Sequence, residues 1–188
     1  MIETTDDAAL VARARKGDDD AFRILVERHQ DAVARTVFGM LGAGDEADDV
    51  GQETFVRFHQ ALGSFRGESS VRTYLVRIAM SSALNALRSQ RRRDLRFVRD
   101  DGALVQAPAP SVSIGTGDDG QAARIRAALD ALSAEHRAVV VLRLLDERST
   151  KETAEILQVP EGTVLSRLSR AVRQLRVTLG AVWQEFTE

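Results

Sequence analysis

The stretch from Ser149 to Arg176, STKETAEILQVPEGTVLSRLSRAVRQLR, constrains this chain more than any other. Its spacing predicts a short amphipathic helix from about Thr150 to Leu157, a tight connection at Gln158, Val159 and Pro160, and then a longer helix rich in arginine. Short helix, tight turn and second helix make a helix-turn-helix, a unit that lays its second helix in the DNA major groove. On that second helix Val164, Leu168, Ala171 and Leu175 recur at i, i+4, i+7 and i+11, which is one buried stripe. The opposite side presents Gly162, Ser166, Ser169, Arg170 and Arg173, with Thr163 and Arg167 toward one flank. Short side chains at the helix start let its first turn approach base edges and phosphates. Arg167 and Arg170 are long enough for phosphate contact or bidentate guanine readout. A solvated basic face on a bundle helix is the competing reading; the preceding short helix and tight turn favour DNA.

The rest of the chain is also helical in spacing, and no strand pattern competes. Asp6 to Lys16 reads as a short helix, and Asp18 to Asp20 as the cap of a second that carries Phe22, Leu25, Val26, Val33 and Val37 inward. Asp45 to Leu62 reads as a third, with Val50, Phe55, Phe58 and Leu62 as its apolar set. Val71 to Arg93 reads as a long fourth with Tyr74, Leu75, Ile78 and Leu87 inward. Helices over Ala122 to Leu132 and Glu135 to Leu145 lead into the helix-turn-helix.

Charge divides this sequence more sharply than its net of −2 indicates. Residues 1–63 hold 13 acids and 7 bases, whereas residues 64–99 hold 2 acids and 9 bases. Residues 100–120 hold 4 acids and no base, and residues 121–188 are nearly balanced. A basic block in an otherwise acidic chain points to a localised polyanion contact. The acidic block 100–120, DDGALVQAPAPSVSIGTGDDG, has two of the three prolines and little periodic apolar content, so it reads as a flexible linker. The expected architecture is therefore all-α: two small helical domains, 1–99 and 121–188, joined by a flexible linker over 100–120, with the helix-turn-helix in the second.

Two further segments carry candidate chemistry. Arg72, Arg77, Arg88, Arg91, Arg92 and Arg93 lie on or beyond the long basic helix, with Arg96 and Arg99 just after, and phosphate neutralisation by such residues gives salt-dependent affinity. SFRGESS, residues 64–70, precedes it and offers Phe65 for stacking, Arg66 for charge, and Ser69 and Ser70 for hydrogen bonds. That set suits an unstacked single-stranded base. The alternative, Phe65 as core and the arginines as a solvated helix end, stands equally on this segment alone. In the acidic helix Asp45, Glu46, Asp48 and Asp49 complement the helix dipole at its start. Gln52, Glu53 and Arg57 further along share a side, which fits a protein partner.

Together these stretches resemble the extracytoplasmic-function (ECF) sigma factors, the compact two-domain class of bacterial RNA polymerase sigma subunits in the sigma-70 superfamily. The resemblance runs from about Ala9 to Arg176, apart from the linker. ADDVGQETF at 47–55 is similar to the family's polymerase-binding helix. SFRGESSVRTYLVRIAMSSALNALRSQRRR at 64–93 is similar to its −10 recognition loop and helix. LDALSAEHRAVVVLRLLDERSTKETAEILQVPEGTVLSRLSRAVRQLR at 129–176 is similar to its −35-binding domain. The resemblance implies that Asp48, Asp49, Gln52, Glu53 and Arg57 meet the clamp coiled coil of core RNA polymerase. It places Phe65, Arg66, Ser69, Ser70, Arg77, Ser81, Asn85 and Arg88 near the −10 element, where one non-template base is captured. It places Glu161, Gly162, Thr163, Ser166, Arg167 and Arg170 at the −35 element. An anti-sigma factor is the implied regulator. Met80, Ser81, Leu165 and Ser169 depart from the usual pattern, which leaves base preference at both elements open; Gly51 weakens a helix interior, and Arg148 and Thr153 replace usual apolar residues, which leaves the packing of the first helix of the motif open.

The expected function is a promoter-specificity subunit without catalysis of its own, and not an obligate homo-oligomer. A stand-alone helix-turn-helix regulator with an N-terminal interaction domain is the alternative. His29, His59 and His136 fall on separate predicted helices, and no metal spacing, glycine-rich phosphate loop or nucleophile motif occurs, so neither cofactor nor metal is expected. Absence of Cys excludes disulfides and Cys-based zinc sites. No apolar run approaches the roughly 20 residues that span a bilayer, and MIETTDDAAL lacks the basic-then-apolar order of a signal peptide, so a cytoplasmic location is expected.

Overall fold

Helical spacing is met by helices throughout the computed structural model, which describes residues 6–100 and 118–180 and has no strand among them. In chain order they are α1 (Asp7–Ala14), α2 (Asp19–Leu41), α3 (Asp45–Ala61), α4 (Val71–Asp100), α5 (Asp118–Asp130), α6 (Ala134–Val140), α7 (Thr150–Leu157) and α8 (Glu161–Leu179). A 3₁₀ turn, Leu62–Ser64, follows α3, and a π turn, Val141–Leu145, continues α6. The linker expected over 100–120 falls, for residues 101–117, outside the described residues; α4 runs on through Asp100, and α5 begins at Asp118 rather than Ala122.

Local chemistry sets the helix ends. The Asp18 carboxylate accepts a hydrogen bond from the Ala21 N–H at 3.0 Å and starts α2. Gly42, at φ 85°, and Gly44, at φ 144°, turn the chain out of α2 into α3, a conformation that L side chains resist. Ser70 accepts from the Thr73 N–H at 3.1 Å and starts α4. Ser149 and Glu152 form a reciprocal capping box on α7, and Gln158, left-handed at φ 54°, ends that helix. Pro160 then opens α8 from an extended conformation.

Packing joins what the sequence pattern separates. Leu10, Leu25, Met40, Phe58, Leu75 and Met80 form the centre of the N-terminal core, and all are fully buried. The same cluster continues into Ala138, Val141, Leu142 and Ile156 of the C-terminal half. A second cluster, with Ala128, Leu132, Val140, Ala171 and Leu175, holds α5 and α6 to α8. Val139, Ala154 and Val164 form a third, which fixes the angle between α7 and α8.

Polar contacts flank this shared core. The carbonyls that end α2 have no basic residue in their own last turn. They are met from the other half: Arg126 donates to Phe38 O at 2.9 Å, and the buried Arg137 donates to Met40 O at 2.6 Å. On the far side Asp146, its side chain fully buried, accepts from Arg148 Nε at 2.6 Å and from Arg72 Nη2 at 2.9 Å. Arg148 also reaches Thr73 Oγ1 and Glu152 Oε1, each at 3.3 Å. Arg148 and Thr153 had left the packing of α7 open in the sequence. Both are buried here, and the Thr153 hydroxyl donates to Ser149 O at 2.9 Å.

Candidate polymerase and nucleic-acid interfaces

On α3 the apolar and polar residues separate cleanly. Ala47, Val50, Thr54 and Phe58 turn inward. Asp48, Asp49, Gln52, Glu53 and Arg57 are all exposed, so the structure brings the five expected polymerase-contact residues to the outer side of one helix. Glu53 and Arg57 pair with each other, with Arg57 Nη2 at 2.7 Å from Glu53 Oε1. An exposed pair of this kind contributes at most a few tenths of a kcal/mol, about 0.3–0.5, so both groups stay available to a partner.

The loop between α3 and α4 wraps a cavity of about 420 Å³, with Phe65, Arg66, Ser69, Tyr74 and Arg77 on its walls. Gly67, at φ 71°, makes the turn. Phe65 is half-buried rather than exposed: its ring meets Tyr74 edge-on at 5.0 Å between centroids and Phe58 at 6.1 Å. Phe65 packs against the core as one reading had it, and it also lines the cavity. Arg77 is half-buried, and its Nε is buried without a hydrogen-bond partner. Ser70 is committed to capping α4, since its hydroxyl also bonds Thr73 Oγ1 at 2.9 Å. Ser81, Asn85 and Arg88 are exposed further along α4. Arg88 lies 3.8 Å from Glu135 across the domain boundary. Met80 is 1% exposed and belongs to the core.

On α8, Glu161, Gly162, Ser166 and Arg170 are exposed, whereas Thr163 and Arg167 are half-buried. Val164, Ala171 and Leu175 are buried as the stripe predicts, and Leu168 is only half-buried. A Cβ added at Gly162 would meet nothing within 4 Å, so the helix start is open to close approach. The Glu152 carboxyl, at the start of α7, is held below the usual carboxylate range by the Ser149 hydroxyl and backbone N–H, with Arg148 adding to the effect.

The two candidate nucleic-acid surfaces do not lie apart. α7 rests on α4, and Ile156, Leu157 and Gln158 share a second cavity, of about 460 Å³, with Arg77, Met80 and Ser81. Glu155 reaches the wall of the loop cavity itself.

Sequence reasoning missed several residues that organise these surfaces. Arg15, just beyond α1, donates to Leu62 O at 2.7 Å and to Phe65 O, and so fixes the loop from behind. Gly39 lets α2 approach Val141: an added Cβ would lie 2.9 Å from one of its methyls. Asp146, Arg126 and Arg137 join the halves as described above. The acid-base pair Asp146 and Arg148, set beside the helix-turn-helix, was the one available signal; nothing in the pattern marks Arg15 or Gly39. Among the described residues no group of His, Asp and Glu is placed to hold a metal ion, and no helix is long and apolar enough to cross a membrane.

Comparison with known proteins agrees with this arrangement. Residues 25–93 match the Sigma-70 region 2 family and residues 122–175 match Sigma-70, region 4. The first covers α3 and α4 as far as Arg93, and the second covers α7 and α8 as far as Leu175. The chain is 37% identical over 180 residues to the ECF RNA polymerase sigma-E factor of Salmonella typhimurium, covering 91% of this chain and 93% of that protein. It is 33% identical over 180 residues to the RNA polymerase sigma-H factor of Pseudomonas aeruginosa, covering 91% and 92%. Among solved structures it is similar to CnrH in complex with the cytosolic domain of CnrY, with a TM-score of 0.67 at 27% identity over 93% of this chain and 97% of that one. It is also similar to the sigma factor RpoE in complex with the anti-sigma factor NepR from Bartonella quintana, with a TM-score of 0.63 at 27% identity over 85% and 97%. A stand-alone regulator would leave the region 2 match and the α3–α4 surfaces without a role. The chain belongs to the ECF RNA polymerase sigma factors of the sigma-70 family.

Proposed function

We propose that this sigma factor joins core RNA polymerase through the exposed side of α3, meeting the clamp coiled coil with Asp48, Asp49, Gln52, Glu53 and Arg57. The loop at 64–70 and the outer face of α4 read the −10 element, and α8 reads the −35 element. The chain does no chemistry itself and works in the cytoplasm beside the polymerase that it directs. An anti-sigma factor is its regulator, a reading supported by the NepR complex of the similar RpoE structure. Residues 1–99 and 121–188 act as the two reading domains, with 100–120 as the tether between them.

The observation that carries this reading is the loop cavity. It combines an aromatic wall, Phe65 and Tyr74, with Arg77, whose buried Nε has no partner. An aromatic face beside a guanidinium fits a base flipped out of the stack and its phosphate. Two separated promoter elements cannot both be met while α7 rests on α4 and Glu155 stands at the cavity wall. Reading both requires the two halves to part.

Two variants test the assignment in the reconstituted holoenzyme. Glu53→Lys is expected to abolish co-elution with core polymerase while the helical circular dichroism is kept; normal transcription from this variant refutes the α3 contact. Arg167→Ala with Arg170→Ala is expected to weaken promoter-duplex binding and to lower its salt slope by about 1 for each phosphate that is no longer neutralised. Binding unchanged across a salt series refutes the α8 contact.

A further inference from the structure

Leu165 is 54% exposed in the second turn of α8. The helix does not need it for packing: Val164, Ala171, Leu175 and Leu179 supply the buried side, and Leu165 belongs to none of the three core clusters. A single exposed leucine is ordinary on a protein surface. This one borders a shallow cavity of about 550 Å³ with Leu168, Ser169, Val172 and Arg173.

Its surroundings are shaped for close approach by a polyanion. Gly162, one turn before, has open space where a Cβ would stand. The Ser166 hydroxyl is turned back to donate to Thr163 O at 3.0 Å, so it presents no outward proton. Arg170 and Arg173 are exposed and form no ion pair among the described residues. Glu161 is the one charge in the first turn, and the cations lie two to three turns further along α8, where they can meet the duplex backbone beside the major groove.

Leucine has neither donor nor acceptor, so it gains nothing from the hydrogen-bonding edges of a base. The one apolar group in the major groove is the C5 methyl of thymine. We propose that Leu165 is a specificity-determining residue that reads a thymine of the −35 element through that methyl. The inference rests on the assignment of α8 to the −35 element.

The test uses holoenzyme and the −35 duplex that it selects from a randomised library, with each thymine replaced in turn by deoxyuridine. That change removes one methyl and leaves every base-pair hydrogen bond intact. A methyl contact contributes about the transfer free energy of one CH₂, so wild type is expected to bind about three- to fivefold more weakly at one position. Leu165→Ala is expected to show no response to deoxyuridine at that position only. Leu165→Lys is expected to bind with a steeper salt dependence and no methyl response. A selected element without thymine, or an equal deoxyuridine response in wild type and Leu165→Ala at every position, overturns the proposal. So does a uniform weakening in Leu165→Ala on methylated and demethylated duplex alike, which marks a protein contact instead. The Arg167→Ala, Arg170→Ala variant separates the two levels: if it weakens duplex binding and the methyl response is absent, Leu165 alone is misassigned. If it does not, the reading of α8 falls and the proposal with it.

Discussion

Gly39→Ala tests whether the closed packing of the two halves depends on the close approach of α2 and Val141. The new Cβ would lie 2.9 and 3.0 Å from the two Val141 methyls and 3.5 Å from Leu145 Cδ1. Val141 is fully buried in the shared core, and both its methyls face the glycine, so rotating its side chain exchanges one clash for the other. Overpacking of this kind costs about 1–3 kcal/mol. The same substitution favours α2 as a helix by about 0.5–1 kcal/mol whether the halves are closed or apart, because alanine loses less backbone entropy than glycine. The two effects therefore act on different equilibria. Helix stability rises, and the closed-to-open ratio falls by about five- to a hundredfold, taking tenfold per 1.4 kcal/mol. The natural chain has no Cys, so cysteines placed at the exposed Gln30 and Thr178 take a donor and acceptor dye without competition. Energy transfer between them is expected to fall in Gly39→Ala while helical circular dichroism is retained. Gly51→Ala, where an added Cβ meets nothing, is the control that stabilises a helix without changing transfer. Unchanged transfer in Gly39→Ala would refute the reasoning, since the interface would then absorb a methyl group without opening.

Other expectations follow from single contacts. Arg15→Ala frees the carbonyls of Leu62 and Phe65, so promoter opening, read by permanganate reactivity of unpaired thymines, is expected to drop several-fold with core binding intact. Arg15→Lys is expected to restore part of it, and wild-type reactivity in Arg15→Ala would refute the positioning role. His29 is held below its ordinary value of 6.5, because burial disfavours its charged form more than the nearby Asp7 favours it. Its contribution to stability is present above that value and is lost as pH falls through the lower folded value. Thermal melts are expected to show wild type losing stability as pH drops below 6.5, with a shallower decline in His29→Gln. Parallel profiles for the two proteins would remove His29 from the acid response.

The residues that set helix identity and helix ends act over a few positions, so they were legible in the chain. The i, i+4, i+7 stripe of α8, the Asp18 cap of α2 and the turn before Pro160 are all local patterns, and each appears where the sequence places it. The exposed acidic side of α3 was equally legible, because alternation on one helix separates its faces. What each face meets was not legible. Phe65 stood open between stacking and core until Phe58 and Tyr74 closed on its ring, and Met80, a departure from the family pattern, is placed in the core by α4. Arg72 and Asp146 lie 74 positions apart, and Arg137 and Met40 lie 97 apart. Nothing local signals such pairs, since an arginine in a sequence reads as surface until a partner carboxylate or carbonyl makes its burial affordable. Gly39 is the clearest case: it stands inside α2, where a glycine weakens a helix, and only Val141 from the other half gives it a use. The sequence by itself determined the helices, the cap of α2 and the two helical modules that they build. The tertiary structure alone decided that the modules close on each other, because that closure depends on shape and charge matched between residues that are distant in the chain.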